Sequence, residues 1–103
     1  MRTLRVLPEA YDDLDQAISW FYHHTDDPNL NLRFRALFKE EANAILRDPE
    51  IHSMVYKKFR HVVLHPFKYL LFYRITSEEV VIVLLVHGAR NPRYVQKQLN
   101  LRK

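Results

Sequence analysis

Hydrophobic positions change period twice along this chain, and each change marks an element. Thr3 to Leu7 alternates weakly through Leu4, Val6 and Leu7, which predicts a short strand. Pro8 closes it and suits the first turn of a helix, where its missing N–H is not needed. Ala10, Leu14, Ala17, Ile18 and Phe21 then fall at helical spacing, with Trp20 and Tyr22 widening the apolar face. This helix should end near His24, because Thr25-Asp26-Asp27-Pro28-Asn29 is a turn by composition. Asp12, Asp13 and Asp15 lie early in it, where carboxylates complement the helix dipole. A second helix is marked by Phe34, Phe38, Ala42 and Ile45, flanked by Leu37 and Leu46, and stops at Arg47-Asp48-Pro49. So short a connection predicts an antiparallel helical hairpin, and Phe21, Phe34, Phe38, Trp20 and Tyr22 are its expected core.

After Pro49 the period becomes that of strands. Lys57 to Leu64 and Tyr69 to Ile75 are β-prone, and Thr76-Ser77-Glu78-Glu79 joins the second to Val80–Val86 as a hairpin. Val80–Val86 is continuously apolar, as expected for a central strand covered on both faces. Gly88, the one glycine, follows where the chain must turn. Tyr94 to Leu101 predicts a short terminal helix carrying Lys97, Arg102 and Lys103. The predicted fold is α+β, one domain over residues 1–103: an N-terminal strand, an α-helical hairpin, and an antiparallel meander of about four strands with a short C-terminal helix.

The composition excludes several classes. With no cysteine, disulfide frameworks, thiolate zinc sites and cysteine nucleophiles are out. One glycine leaves no nucleotide-binding glycine loop. No apolar run reaches the roughly 20 residues of a membrane helix, and the first residues do not read as a signal peptide, so a cytoplasmic protein is expected. Charge is split along the chain. Residues 1–54 hold six Lys/Arg against ten Asp/Glu, whereas residues 55–103 hold ten Lys/Arg against Glu78 and Glu79. Such a basic half suits an acidic protein or a polyanion, although solvation of a sheet face explains it equally well.

Four segments, in this order, resemble the toxins of the RelE/ParE superfamily of type II toxin–antitoxin modules. Leu7-Pro8-Glu9-Ala10 with Asp13-Leu14 looks like the entry to their first helix, and Leu46-Arg47-Asp48-Pro49 like the end of the second. Pro66-Phe67-Lys68-Tyr69-Leu70-Leu71-Phe72-Tyr73-Arg74 is similar to the aromatic strand of ParE-like members, and Val86-His87-Gly88-Ala89-Arg90-Asn91-Pro92 to their closing strand and its exit. Lys68 stands where a proline is usual, and no glycine follows Pro49. The resemblance implies a toxin of a plasmid-stabilisation type, held by a cognate antitoxin in a hetero-oligomer, with no cofactor and no metal. It also implies one of two targets. ParE-like members block DNA gyrase without catalytic residues of their own, while RelE-like members cut mRNA on the ribosome.

Metal-free RNA cleavage needs a base for the 2′-hydroxyl, an acid for the leaving oxygen and cations for the phosphorane. Arg90, His87, Tyr94, Lys57, Lys58 and Arg60, with His61, are the candidates. Arg90 and Tyr94 lie near positions that ribonuclease members use, but Leu70 stands where those members place a phosphate-binding arginine. That pattern is incomplete. The gyrase-blocking branch is therefore the reading, with the ribosome-dependent endoribonuclease and an inactive antitoxin-binding relative as alternatives. A nucleic-acid-binding module would use the same basic half and would lose affinity steeply with salt. The ordinary reading of His87 is a strand-end histidine held by backbone, and His23, His24, His61 and His65 lack the spacing of a zinc site. For the antitoxin, Leu30, Leu32, Tyr69 and Leu71 are expected as exposed apolar anchors of the hairpin and sheet edge, with Arg60, Arg74 and Arg93 as the charged rim.

Overall fold

The long apolar run becomes the strand around which everything else is laid. The computed structural model describes residues 1–102. It runs β1 (Thr3–Val6), α1 (Pro8–His24), α2 (Leu30–Arg47), β2 (Met54–Tyr56), β3 (Phe59–Leu64), β4 (Tyr69–Ile75), β5 (Glu79–His87) and α3 (Pro92–Leu101). The five strands form one sheet in the order β1-β5-β4-β3-β2. β2 to β5 make the expected antiparallel meander, and β1 joins its far side parallel to β5. No described helix is long and apolar enough to cross a membrane.

β5 lies between β1 and β4, and Val80 to Val86 are all buried. An interior strand with layers on both faces exposes neither side to water, so alternation disappears from its sequence. The helical hairpin covers one face with Ala10, Leu14, Ala17 and Phe21 from α1 and Phe34, Phe38, Ala42 and Ile45 from α2. The first set is spaced i, i+4, i+7, i+11 and the second i, i+4, i+8, i+11, both one face of a helix, and the alanines let the backbones approach. At one end of the hairpin, Phe21, Phe34, Phe67 and Tyr69 meet with ring centroids 5.0 to 5.3 Å apart for each ring on Phe34 and for Phe21 on Phe67. This cluster ties both helices to the turn before β4. Trp20 and Tyr22 do not join it. They are 51% and 70% exposed, because each sits about 100° around the helix from Phe21 and falls off the buried stripe.

Three boundaries differ from the sequence reading. The strand expected over Lys57 to Leu64 begins at Phe59, and Met54–Tyr56 forms a further strand. The cause is Lys57, whose φ of 51° starts a two-residue turn, so the basic pair sits in a hairpin tip rather than in a ladder. The terminal helix starts at Pro92, not Tyr94, since Asn91 caps it by accepting the Arg93 N–H at 2.9 Å. The Lys103 expected at its end lies outside the described residues. Gly88 is required by closeness: its N–H donates to the Lys68 carbonyl at 2.8 Å, and a Cβ there would stand 2.9 Å from that oxygen.

A largely enclosed ion pair fastens the last helix. β1 pairs with β5 only as far as Ile82, where the Leu7 N–H donates to the Ile82 carbonyl at 3.0 Å. In the β4 ladder Tyr73 faces Ile82 and Phe72 faces Leu84, so Val83 is an extra, bulged residue. The bulge turns the Val83 carbonyl and the Leu85 N–H toward the side β1 has left. Arg102, just beyond α3, donates to that carbonyl at 3.1 Å, and Asp13 of α1 accepts from that N–H at 3.1 Å. Arg102 and Asp13 also pair with each other through both guanidinium arms. Their side chains are only 10% and 13% exposed. Asp13, expected to complement the dipole of α1, is thus a bridge among three elements.

Two outcomes test this account. Replacing Ile82 or Leu84 by Asp should abolish soluble expression, because an unpaired carboxylate among fully buried neighbours costs several kcal/mol of a total of about 5–15. A normally folded Ile82→Asp/Leu84→Asp protein would contradict the interior placement of β5. Arg102→Met should cost about 3 kcal/mol in urea unfolding, because it strands the Asp13 carboxylate and the Val83 carbonyl together. Adding Asp13→Leu should cost less than the sum of the single changes. Additive losses would show that the two groups do not act as a unit.

Candidate functional site

The fold sorts the candidate residues onto two sides of the sheet. On the α3 side, a groove of about 220 Å³ lies between the β2–β3 hairpin and α3. Its floor is Leu70 and Phe72 of β4 with His61 of β3, and its rim carries Tyr56, His87 and Arg90. Tyr56 and Lys57 both reach Asn100 of α3, at 3.3 and 2.9 Å, which closes the groove at the end of that helix. Sequence reasoning did not single out Tyr56 or Asn100, because a contact across some 44 residues leaves no local pattern.

Strand alternation then removes a member of the proposed set. His61 faces the α3 groove, so its neighbour Arg60 points to the helical side. There Arg60 donates to the His52 carbonyl at 2.6 Å, while the Tyr73 hydroxyl donates to the Pro49 carbonyl at 2.7 Å. The two bonds pin the loop after α2 onto the sheet. Arg60 is therefore separated from Arg90 and His87 by the sheet itself. Lys57 and Lys58 stay at the hairpin tip, with ammonium groups 5.3 and 5.9 Å from the Tyr56 and Phe59 ring centroids.

The remaining candidates are engaged structurally. The Arg90 guanidinium stacks over Tyr94 at 3.9 Å, so the cation and the phenol hold each other. His87 accepts the Ala89 N–H on Nδ1 at 3.1 Å and its carbonyl accepts the Arg90 N–H at 3.1 Å. That is the strand-end role, and it leaves the ring proton on Nε2. His61 has its Nδ1 enclosed without a hydrogen-bond partner, against Phe72 at 5.1 Å. Burial lowers its pKa from the usual histidine value, and the nearby His52 acts in the same direction. Burial raises the pKa of the Tyr69 hydroxyl and, more than Arg60 offsets, that of Tyr73, with Asp48 adding to the rise. Chemically, the groove offers the Arg90 guanidinium at its rim, an apolar floor, and the His61 imidazole, whose burial disfavours its charged form. Among the described residues no group of three or more His, Asp or Glu side chains gathers to hold a metal ion.

The expected antitoxin anchors also divide. Leu32 is 62% exposed, and Leu30 and Tyr69 are half-buried. Leu71 is a correction: it is fully buried against the hairpin, since β4 is the middle strand of five and has no free edge. Arg93 is exposed, Arg74 is partly covered, and Arg60 is held by His52. A second trough, of about 220 Å³, runs along the far end of β5 between α1 and Arg90–Tyr94, lined by Asp13, Gln16, Trp20, Tyr69 and His87. Sequence reasoning missed this trough, because it assigned Trp20 to the hairpin core.

Comparisons with known proteins bear on the family and the fold. A family described as the ParE toxin of the type II toxin–antitoxin system parDE matches residues 4–92. The chain is 30% identical over 99 residues to Toxin ParE2 of Mycobacterium tuberculosis, covering 96% of this chain and 93% of that one. In fold it is similar to a chain from the chromosomal ParDE system of P. aeruginosa, with a TM-score of 0.74 and 16% identity over 84% of this chain and 96% of that one. It is also similar to the isolated E. coli RelE toxin, with a TM-score of 0.58 and 13% identity over 98% and 99% of the two chains. From the family match and the mycobacterial relative together, the chain belongs to the ParE toxin family of type II toxin–antitoxin systems.

Proposed function

We infer that this ParE-family toxin acts in the cytoplasm by blocking DNA gyrase, and that a cognate antitoxin neutralises it. The observation that carries the choice of target is the groove beneath Arg90. A phosphorane needs several cations and a base that is free to accept a proton. Here Leu70 forms the floor, Arg60 faces the opposite side, and His87 Nδ1 already accepts a backbone N–H. Family membership supplies the toxin class, and the geometry argues against the chemistry of a nuclease.

The second reading, ribosome-dependent cleavage of mRNA, is favoured by the RelE-like fold and by Arg90, which remains exposed beside Tyr94. Expression alone separates the two. A gyrase poison produces broken DNA trapped on gyrase and an SOS response while mRNA stays intact. Rapid codon-specific cuts in the ribosomal A site without DNA damage would hand the function to the nuclease reading. In that case Arg90→Ala should lose about 10²–10³-fold in cleavage, as expected for removal of a transition-state charge partner.

Neutralisation follows from the two kinds of surface. The basic half attracts an acidic partner and speeds encounter, while apolar groups such as Leu30, Leu32 and Tyr69 provide the lasting hold. Arg74 and Arg93 serve the rim. Raising salt should therefore slow association markedly and leave dissociation nearly unchanged. Rapid release of the antitoxin on a tenfold rise in salt, read by surface plasmon resonance, would mean that the interface is chiefly ionic.

A further inference from the structure

Exposed cations line α3 and its approach, and more of them stand at the tip of the β2–β3 hairpin beside it. Arg90, Arg93 and Lys97 are all exposed, as are Lys57 and Lys58. Arg93 and Lys97, four residues apart, share one side of α3, away from the buried Leu99. Lys57 donates to the Asn100 side chain at 2.9 Å, which seats the hairpin tip at the far end of that helix. Lys58 lies over Phe59, and Phe59 is paired with Tyr56, a wall of the α3 groove. These charges therefore form one row, from Arg90 before α3 to the hairpin tip past its end. At a rise of about 1.5 Å per residue, α3 itself covers about 15 Å of that row.

Among the described residues nothing neutralises this row. Neither the β2–β3 hairpin, residues 54–64, nor the stretch from Arg90 to Leu101 contains an Asp or Glu. The ion pairs among the described residues, Arg5 with Glu79 and Arg102 with Asp13, do not involve it. The partner of Lys57 is an uncharged amide, and the Arg90 guanidinium rests on the uncharged Tyr94 ring at 3.9 Å. Like charges gathered without counter-charges repel one another, and a polyanion relieves that repulsion.

The rings on this face decide between kinds of polyanion. A single strand is held by bases stacked on open aromatic side chains. Here Tyr94 is already stacked by Arg90, Tyr56 is partly buried and bonded to Asn100, and Phe59 and Phe72 are buried. No series of open rings accompanies the cations among the described residues, so the face suits phosphates rather than bases. A duplex presents its phosphates outward in a regular line, with its bases already stacked, and binding them needs no convergence on one atom. Gln96 and Asn100, both exposed on α3, add uncharged donors of the kind that contact phosphate oxygens.

We propose that this row binds the phosphate backbone of duplex DNA without reading its sequence, and that through it the toxin holds the DNA bound by gyrase. The proposal rests on the gyrase reading for the source of the duplex. It goes further in giving the toxin a DNA contact of its own.

The test follows the full chain binding to fluorescent duplexes of about 20 base pairs by anisotropy, over about 50 to 200 mM salt. Two duplexes of unrelated sequence should bind alike. Affinity should fall with a log–log salt slope of about −3, as for release of counterions from three to four phosphates. Lys58→Gln/Lys97→Gln should weaken binding about tenfold and flatten the slope by about two. Arg35→Gln/Lys39→Gln, the same loss of charge at exposed positions on α2, should change binding less than about threefold. Both double variants should melt with the parent, since the substitutions are at the surface. With gyrase and plasmid, the parent should accumulate cleaved DNA and Lys58→Gln/Lys97→Gln about tenfold less. Equal accumulation by those two proteins, with no duplex binding by the free parent, overturns the DNA contact and leaves gyrase poisoning standing. No cleaved DNA with the parent removes the gyrase reading and the proposal with it. Binding about tenfold tighter to single-stranded RNA or to polyglutamate than to the duplex would assign the row to a different partner and overturn the proposal.

Discussion

The Asp13–Arg102 pair makes the rest of the architecture possible, because it ends a strand ladder without a strand. β1 is four residues long and β5 is nine, so their pairing must stop inside the sheet. Stopping there leaves backbone groups facing a protein interior, where each unpaired group is costly. The bulge at Val83 and the two charged side chains solve this together. The carboxylate accepts the Leu85 N–H, the guanidinium donates to the Val83 carbonyl, and each charge neutralises the other. The arrangement also carries order outward. Arg102 holds the end of α3 against α1 and β5, and α3 in turn supports Tyr94 and the residues around Arg90.

With α3 fixed, the molecule has two unlike layers. The helical hairpin belongs to the acidic half of the chain, and the meander and α3 belong to the basic half. The aromatic cluster of Phe21, Phe34, Phe67 and Tyr69 joins the layers at one end without any charge. Next to it, Trp20, Tyr22 and Leu32 remain in water. Large apolar side chains left outside a complete core mark a contact surface more readily than a packing failure. A surface that is apolar at its centre and basic at its rim supplies both hold and orientation to a protein partner.

The helices and β5 were legible because periodicity is a local property. The spacing of Phe34, Phe38, Ala42 and Ile45 has no other simple reading, and seven consecutive apolar residues need two covers. β2 was hidden because Met54–Tyr56 is too short to show alternation and its limit depends on the left-handed backbone of Lys57, a residue type that does not announce such a turn. Leu71 shows a different gap. Its exposure depended on where β4 sits among five strands, and strand order is a non-local fact. The partnership of Asp13 with Arg102, 89 residues apart, belongs to the same class. Local chemistry named both residues, but only topology assigned their roles.

Topology also decides the reading of the chemistry. In a strand, one step along the chain moves a side chain to the opposite face. Had β3 entered the sheet one residue out of register, Arg60 would face Arg90 across the groove and His61 would lie under the helices. A cation pair for a phosphate would then stand beside Tyr56. The hairpin tip at Lys57 and Lys58 sets the register instead, with Tyr56 opposite Phe59 and Arg60 opposite Tyr73. Arg60 is consequently spent on the His52 carbonyl, holding a loop, and the groove keeps a hydrophobic floor. The basic residues weighed as candidates for RNA cleavage are dispersed by the sheet over three sites: hairpin tip, loop anchor and groove rim. What their combined charge retains is a long-range field, and a field guides a protein partner without requiring any of those residues to converge on one atom.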